Sequence, residues 1–352
     1  MSIDPATTTV LVTGASGFIA QHTILEVLRA GFRVRGTIRS QGRAPEVRAV
    51  VAAALGADPG ERFTLAAADL TRDDGWGDAV RGCRFVIHVA SPLPSRPPRH
   101  ADELIVPARD GALRVLRAAA AERALRVVMT SSVAAVVYGH ARDGNQTYDE
   151  SSWSQLSAEV GAYEQSKTIA ERAAWDYVAG LPAEQRLELV TINPGLVLGP
   201  VLGADFSTSG EVVRKLLARD MPGCPDVGWA VVDVRDVAAA HVAAMTAPGA
   251  AGQRLIVAIE HASMLDIARI LKDRFGERGF RVPTRKIPGW LLKLVATWDR
   301  TARLAVQELG KRQDLSTRKA REVLGFSPRS LEEMVVAMGE SMIERGVVRA
   351  RA

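Results

Sequence analysis

Cysteine is scarce in this chain. Cys83 and Cys224 are the only two in 352 residues, and they form no Cys-x-x-Cys half-site of the kind that holds zinc. No metal site is expected, and both thiols are expected to be buried and reduced, as in a cytoplasmic protein. Long apolar runs are missing too. None reaches the roughly 18 residues that read as a membrane helix. The opening MSIDPATTTV lacks a basic stretch followed by an apolar one, so no secretory leader is expected. Blocks of one charge are also absent. The net charge is +5, yet arginines are scattered among Asp and Glu and form no stripe interleaved with aromatics. Neither a nucleic acid nor a membrane surface is therefore an expected partner. The chain contains no internal repeat and no low-complexity segment.

What is present is an ordinary globular composition, 47% hydrophobic and 24% charged. The length suits one large domain or two modest ones. Apolar stretches of two kinds alternate along it. Residues 8–13, 32–38, 62–68, 85–90, 126–130 and 187–193 read as short buried strands, and 18–29, 110–123 and 163–178 as helices. Such alternation predicts an α/β fold, a Rossmann-type doubly wound parallel sheet. After Pro194 the pattern loosens. Residues 195–210 read as loop, 211–218 as a helix, 230–234 as a strand and 236–245 as a helix, with amphipathic helices at 264–275 and 331–344. The expected division is residues 1–194 as the nucleotide-binding domain, with 230–250 returning to it. Residues 195–229 and 251–352 then form a smaller C-terminal substrate lobe.

Residues 10–20 read VLVTGASGFIA. Gly14 and Gly17 fall where an apolar strand ends and a helix begins, the context in which a diphosphate approaches the backbone and is stabilised by the helix N-terminus. Ala20 lets that helix pack close to the sheet. An ordinary βα turn is the bland alternative. The end of the second strand selects the dinucleotide. NAD sites usually place an acid there and NADP sites an arginine. Here residues 36–43 read GTIRSQGR, with no acid and with Arg39 in reach, so NADP(H) is the expected cofactor. Asp69 and Leu70, ending the third strand, are candidates to border the adenine; Asp69 is equally suited to cap a helix.

Residues 161–171 read GAYEQSKTIAE. Tyr163 and Lys167 share a helix face at this spacing. An ammonium favours the phenolate, so Lys167 is expected to lower the Tyr163 pKa and tune it for proton transfer. About thirty residues upstream, VVMTSSV (127–133) ends a strand in two serines. Ser132 can hold a substrate carbonyl at the crevice that the glycine turn faces; a serine pair that only caps the next segment is the alternative.

Taken together, TGASGFIA, HVASP (88–92), TSSVAAV (130–136), YEQSK (163–167) and NPGLVLGP (193–200) resemble the extended short-chain dehydrogenase/reductases. Within them the chain is most similar to the branch of dihydroflavonol reductases, cinnamoyl-CoA reductases and microbial aldehyde/ketone reductases. The ordered motifs span residues 8–240, and KAREVLGFSPRSLEE (319–333) resembles that branch's C-terminal lobe. The resemblance implies Tyr163 as general acid, Lys167 on the nicotinamide ribose and Ser132 orienting the carbonyl. It implies cofactor contacts at Gly14, Ser16, Gly17, Phe18, Ile19, Val89, Ala90, Ser91, Pro194, Gly195, Leu196, Val197 and Ser209. Plant dihydroflavonol reductases generally carry a polar residue five positions after the catalytic serine. Val137 stands there, which argues against a natural flavonoid. The expected pocket edge, Leu93, Pro94, Val133, Val137 and Trp229, is largely apolar and suits a hydrophobic aldehyde or ketone, or the corresponding alcohol.

The helices at 110–123 and 163–178 are candidates for a homodimer interface, as in many relatives; others are monomers, and the sequence leaves the state open. Hydroxysteroid or sterol dehydrogenases fit the same pattern. Nucleotide-sugar epimerases and dehydratases fit the fold but usually keep the acid after the second strand. A non-catalytic NADP-sensing regulator is the alternative of another class, and such proteins tend to lose the Tyr or Lys. His88 and His241 read as hydrogen-bonded core residues, Trp290 and Trp298 as lobe packing, and 331–343 as a core-facing helix.

Overall fold

A computed structural model describes residues 3–92, 98, 100–140, 147–259, 261–298, 306, 308–312 and 314–350. Strand β1 (Thr9–Val12) enters the glycine turn and α1 (Phe18–Arg29) leaves it. There follow β2 (Arg33–Ile38), α2 (Ala44–Leu55), β3 (Phe63–Ala67), α3 (Trp76–Val80) and β4 (Cys83–His88). Next come α4 (Asp102–Ala121), β5 (Arg126–Thr130), the short β6 (Thr147–Tyr148), α5 (Ala162–Ala179) and β7 (Glu188–Pro194). The chain continues through β8 (Leu196–Leu198), α6 (Ser207–Leu217), β9 (Gly228–Asp233), α7 (Val234–Thr246), β10 (Arg254–Val257) and β11 (His261–Ser263). It closes with α8 (Met264–Phe275), α9 (Gly289–Val295), β12 (Asp314–Leu315), α10 (Arg318–Leu324) and α11 (Leu331–Glu344).

Seven strands form one sheet in the order β10-β7-β5-β4-β1-β2-β3, every pairing parallel. Side chains alternate between its faces, as the period of two requires. Val10, Val12, Phe85, Ile87 and Ile192 join the core under α1 and α7, while Leu11, Val86, Val127 and Leu189 join the core under α3, α4 and α5. Both faces are covered, so the strands read as continuous apolar runs. The strand order reverses between β1 and β4, and the crevice at such a switch point is where open α/β sheets take their ligands.

The doubly wound sheet is as expected, but the return after Pro194 differs in one respect. The strand read at 230–234 does not rejoin the large sheet. It is β9, the centre of a three-stranded sheet with β8 and β11. The seventh place in the large sheet goes to β10, four buried residues within the stretch assigned to the outer lobe. Such a run is too short to show a period of its own. Only α7 returns as expected, packing on α1. Helix α4 also begins eight residues before the expected Asp110. It runs through Pro107, and the hydrogen bond lost there is offset by burial of Leu104, Ile105 and Ala108.

Candidate active site

The glycine turn is built around Thr13 and Thr37. The Gly14 amide donates to Thr37 Oγ1 at 3.0 Å and the Ala15 amide to the Thr37 carbonyl at 2.8 Å. Thr13 Oγ1 accepts from the Ala90 amide at 2.9 Å and is hydrogen-bonded to His88 Nδ1 at 2.9 Å, tying β1 to the loop after β4. Gly14 has φ +71°, and a Cβ there would stand 3.0 Å from the Ala90 Cβ. The turn therefore needs glycine for its conformation and for its closeness to Ala90. Helix α1 starts at Phe18 with no side-chain cap and no acid in its first turn. Its N-terminal amides are free to meet an anion, which fits a dinucleotide diphosphate. Ser16 and Gly17 lie on the turn; Phe18 is buried edge-on to His22, and Ile19 is half-buried.

Arg39 is exposed at the end of β2. Arg43, not singled out by the motif reading although it lies in the same GTIRSQGR, donates from Nη1 to Ser16 Oγ at 3.2 Å. Two arginines thus stand in the segment after β2, one of them bonded to the turn. Asp69 is half-buried and accepts from the Thr71 amide and hydroxyl at 2.8 and 2.9 Å. The Thr71 amide bond is the main reason its carboxyl is held below the usual range, with a smaller pull from Arg39. Leu70 packs on Gly111 of α4.

Across the crevice, Ser132 ends the run from β5 and starts a short 3-10 turn. Its Oγ accepts from the Ala134 amide at 3.1 Å, which leaves its proton to give. That hydroxyl faces Tyr163 and draws the phenol's pKa down. The cap therefore does not use up the hydroxyl's proton. Tyr163, in the first turn of α5, is 37% exposed, so its ring opens onto the cleft. Lys167 follows one turn later, its Nζ 3.2 Å from Ser91 Oγ and 5.9 Å from the Tyr163 ring centre. Desolvation lowers the Lys167 pKa to about 8, with Glu171 acting in the opposite direction. The expected lowering of the Tyr163 pKa by Lys167 is not found in the protein alone. Desolvation of the phenol pushes it up, Ser132 pulls it down, and Glu164 pushes it up. The ammonium is bonded to Ser91 Oγ.

Val89, Ala90 and Ser91 follow β4, half-buried along the crevice. Pro194 ends β7, and the Gly195 amide donates to the Val257 carbonyl at 3.2 Å. Leu196 is half-buried, whereas the Val197 side chain is buried in the main core. Ser209 lies half-buried in the first turn of α6. Two residues earlier is Ser207, with φ +59° and a buried hydroxyl without a partner, a residue the sequence did not single out. Among the proposed substrate contacts, Val133 and Val137 pack in one cluster with Val136 and Ala230. Trp229 points to the other face of β9, against the main core, and does not join them. Leu93 and Pro94 lie outside the described residues.

His88 and His241 are buried and hydrogen-bonded, His241 accepting from Thr130 Oγ1 at 2.6 Å. Both cysteines are free and buried, their thiols pushed up to about 11 by desolvation. Trp290 and Trp298 do not pack the lobe; they are 69% and 71% exposed. Among the described residues, no helix is long and apolar enough to cross a membrane.

The fold agrees with the comparisons to known proteins. Residues 10–259 match the NAD dependent epimerase/dehydratase family. The chain belongs to that family, the extended short-chain dehydrogenase/reductases. It is 36% identical to cinnamoyl-CoA reductase 1 of Arabidopsis thaliana over 287 residues, 80% of this chain and 78% of that one. It is 31% identical to the NADPH-dependent methylglyoxal reductase GRE2 of Saccharomyces cerevisiae over 347 residues, 93% and 95% of the two chains. The crystal structure of the yeast methylglyoxal/isovaleraldehyde reductase Gre2 complexed with NADPH superposes with a TM-score of 0.79 at 28% identity, covering 97% of this chain and 100% of that one.

Proposed function

We propose that this protein is an NADPH-dependent reductase of hydrophobic aldehydes or ketones, reversible toward alcohol oxidation, with Tyr163 as general acid. The observation that carries the reading is Ser132 facing Tyr163, with Lys167 one turn on and bonded to Ser91, at the same C-terminal end of the sheet as the uncapped start of α1. The relatives named above are reductases, which supports the same class.

The first turn of α1 with Gly14, Ser16 and Gly17 would hold the cofactor diphosphate, and Arg39 with Arg43 the 2′-phosphate. Asp69 and Leu70 would border the adenine, and Lys167 the nicotinamide ribose. Val89, Ala90, Ser91, the 194–197 backbone and Ser209 would line the remainder. Bound NADPH supplies a hydride for the carbonyl carbon. The chain's own part is polar. The Ser132 hydroxyl orients the carbonyl oxygen, and the Tyr163 hydroxyl hands it a proton as negative charge develops there. A phenol held above its ordinary pKa stays protonated at neutral pH, as a proton donor must. Lys167 supplies positive charge beside it. Val133 and Val137 give the substrate side an apolar wall, and the small sheet with α6, α8 and α11 would form the substrate lobe.

The test is consumption of NADPH and of NADH against aromatic aldehydes, hydrophobic ketones and β-keto esters, beside Tyr163→Phe. NADPH turnover lost in the variant supports the reading. Tight NADPH binding without turnover on any substrate favours the sensor alternative.

A further inference from the structure

Glu171 lies one turn past Lys167 and two past Tyr163 on α5, so the three side chains share a helix face. Its carboxylate is fully buried. Oε2 accepts from Ser131 Oγ at 2.5 Å and from Asn193 Nδ2 at 2.8 Å. Oε1 accepts from Arg254 Nε at 2.6 Å, Thr191 Oγ1 at 3.0 Å and Trp175 Nε1 at 3.4 Å. Asn193 Nδ2 also donates to the Ser132 carbonyl at 3.2 Å. Arg254 is fixed in turn. It lies over the Trp153 ring, 3.6 Å from its centre, and donates to the carbonyls of Glu150 and Ser152.

One carboxylate thus joins α5, which carries Tyr163 and Lys167, to the segment that carries Ser132 and to β7 and β10. Packing alone does not call for this. A buried ion pair is often no more stabilising than apolar side chains of the same volume. What a charge with five directed bonds does provide is a fixed register between two elements and a negative potential at a chosen point. Both fall on the catalytic group. The groups facing Lys167 are Ser91 and the neutral, buried His88 across the sheet, with Tyr163 and Glu171 on its own helix. Those facing Glu171 are Arg254 and Lys167, while Arg172 is turned to Trp153.

We propose that Glu171 is a positioning residue for the reaction: through Ser131 and Asn193 it holds Ser132 against Tyr163, and it places a fixed negative charge one turn from Lys167. The proposal rests on the reductase reading of this site. Burial alone pulls the Lys167 ammonium down, and Glu171 is the group that opposes it. Without that charge Lys167 loses its proton at a lower pH.

The experiment compares the wild type with Glu171→Gln and Ser131→Ala in NADPH binding by fluorescence titration, in kcat and KM, and in the pH profile of reduction. Glu171→Gln is expected to bind NADPH within about threefold of wild type, lose about tenfold or more in kcat, and move the alkaline limb of its profile to lower pH. Ser131→Ala keeps the charge, so its kcat falls while the limb stays. A merely structural role would lower the melting temperature and leave that limb in place. A readout without substrate is the NMR titration of the Tyr163 ring, assigned among four tyrosines by its loss in Tyr163→Phe. In Ser131→Ala it is expected to titrate higher, because the Ser132 hydroxyl that favours the phenolate is held less firmly. Should Glu171→Gln fail to fold, Ser131→Ala decides. Turnover with kcat, limb and Tyr163 titration all unmoved overturns the proposal and spares the reductase reading. No turnover in the wild type, with the Tyr163 titration shifted in Ser131→Ala, overturns the reductase reading while the hold on Ser132 stands.

Discussion

Arg43 reaches back across the loop after β2 to the hydroxyl of Ser16, so the glycine turn and the arginine loop are joined before any phosphate arrives. Arg43 also pairs with Glu46 at 3.2 Å, both side chains about half exposed. The guanidinium is held at the turn rather than wandering in solvent. Arg43→Ala is expected to weaken NADPH binding by about tenfold or more, the worth of one charge-assisted hydrogen bond of roughly 1.5–3 kcal/mol. NADH binding should change about twofold or less, since it carries no 2′-phosphate. Titrating both cofactors checks this, and equal losses for the two would count against a 2′-phosphate role.

Ser132→Ala removes the hydroxyl proposed to orient the carbonyl, which also favours the Tyr163 phenolate. Reduction should slow by about a hundredfold or more, comparable with loss of a general acid or oxyanion donor. The pKa of Tyr163 should rise further, since the opposing influence of Ser132 is gone. Rates at fixed pH and the Tyr163 titration measure the two effects separately.

In the reductive direction Tyr163 remains protonated through neutral pH, because its pKa lies above the ordinary value. Lys167 titrates first, near 8. Reduction is therefore expected to be level below about pH 7 and to decline as pH rises through the Lys167 value. A kcat profile from pH 6 to 9.5 tests it.

Three buried histidines make the fold acid-sensitive. His22 and His241 are held at about 4 and His88 at about 3, each mainly by desolvation. The folded state keeps them neutral while the unfolded chain binds protons below 6.5. Stability is then fully present above 6.5 and falls as pH drops toward 4, by up to about 1.4 kcal/mol per pH unit for each histidine. Urea unfolding at pH 7, 6 and 5 should show it, and His241→Asn should reduce the slope by about a third.

Trp290 and Trp298 face solvent, so replacing both with serine should change stability by about 0.5 kcal/mol or less per site. Iodide should quench a large share of the protein's fluorescence in the wild type and a smaller share in the double variant. A strongly destabilised variant would mean that these rings are covered in solution.

The sequence by itself determined the doubly wound sheet and the elements on which the candidate site residues stand. Local order in the chain carries both. A strand that leads into Gly14 and a helix that starts uncapped at Phe18 are neighbours in sequence, and Tyr163 and Lys167 share a helix face through the helical period alone. The 264–275 and 331–344 helices were equally legible, since each starts with a serine capping box and has a buried stripe. What only the tertiary structure decided depends on long-range pairing. The four residues of β10 show no period, and they enter the large sheet because β7 offers them an edge. Trp229 and Ala230 are adjacent in sequence, but the pleat sends them to opposite faces, so the tryptophan leaves the cluster of Val133 and Val137. The direction of the Tyr163 shift depends on how deeply the phenol is desolvated, which no spacing reveals. Arg254 meets Glu171 across 83 residues, and hydrophobic periodicity carries no information about which buried charge will face which.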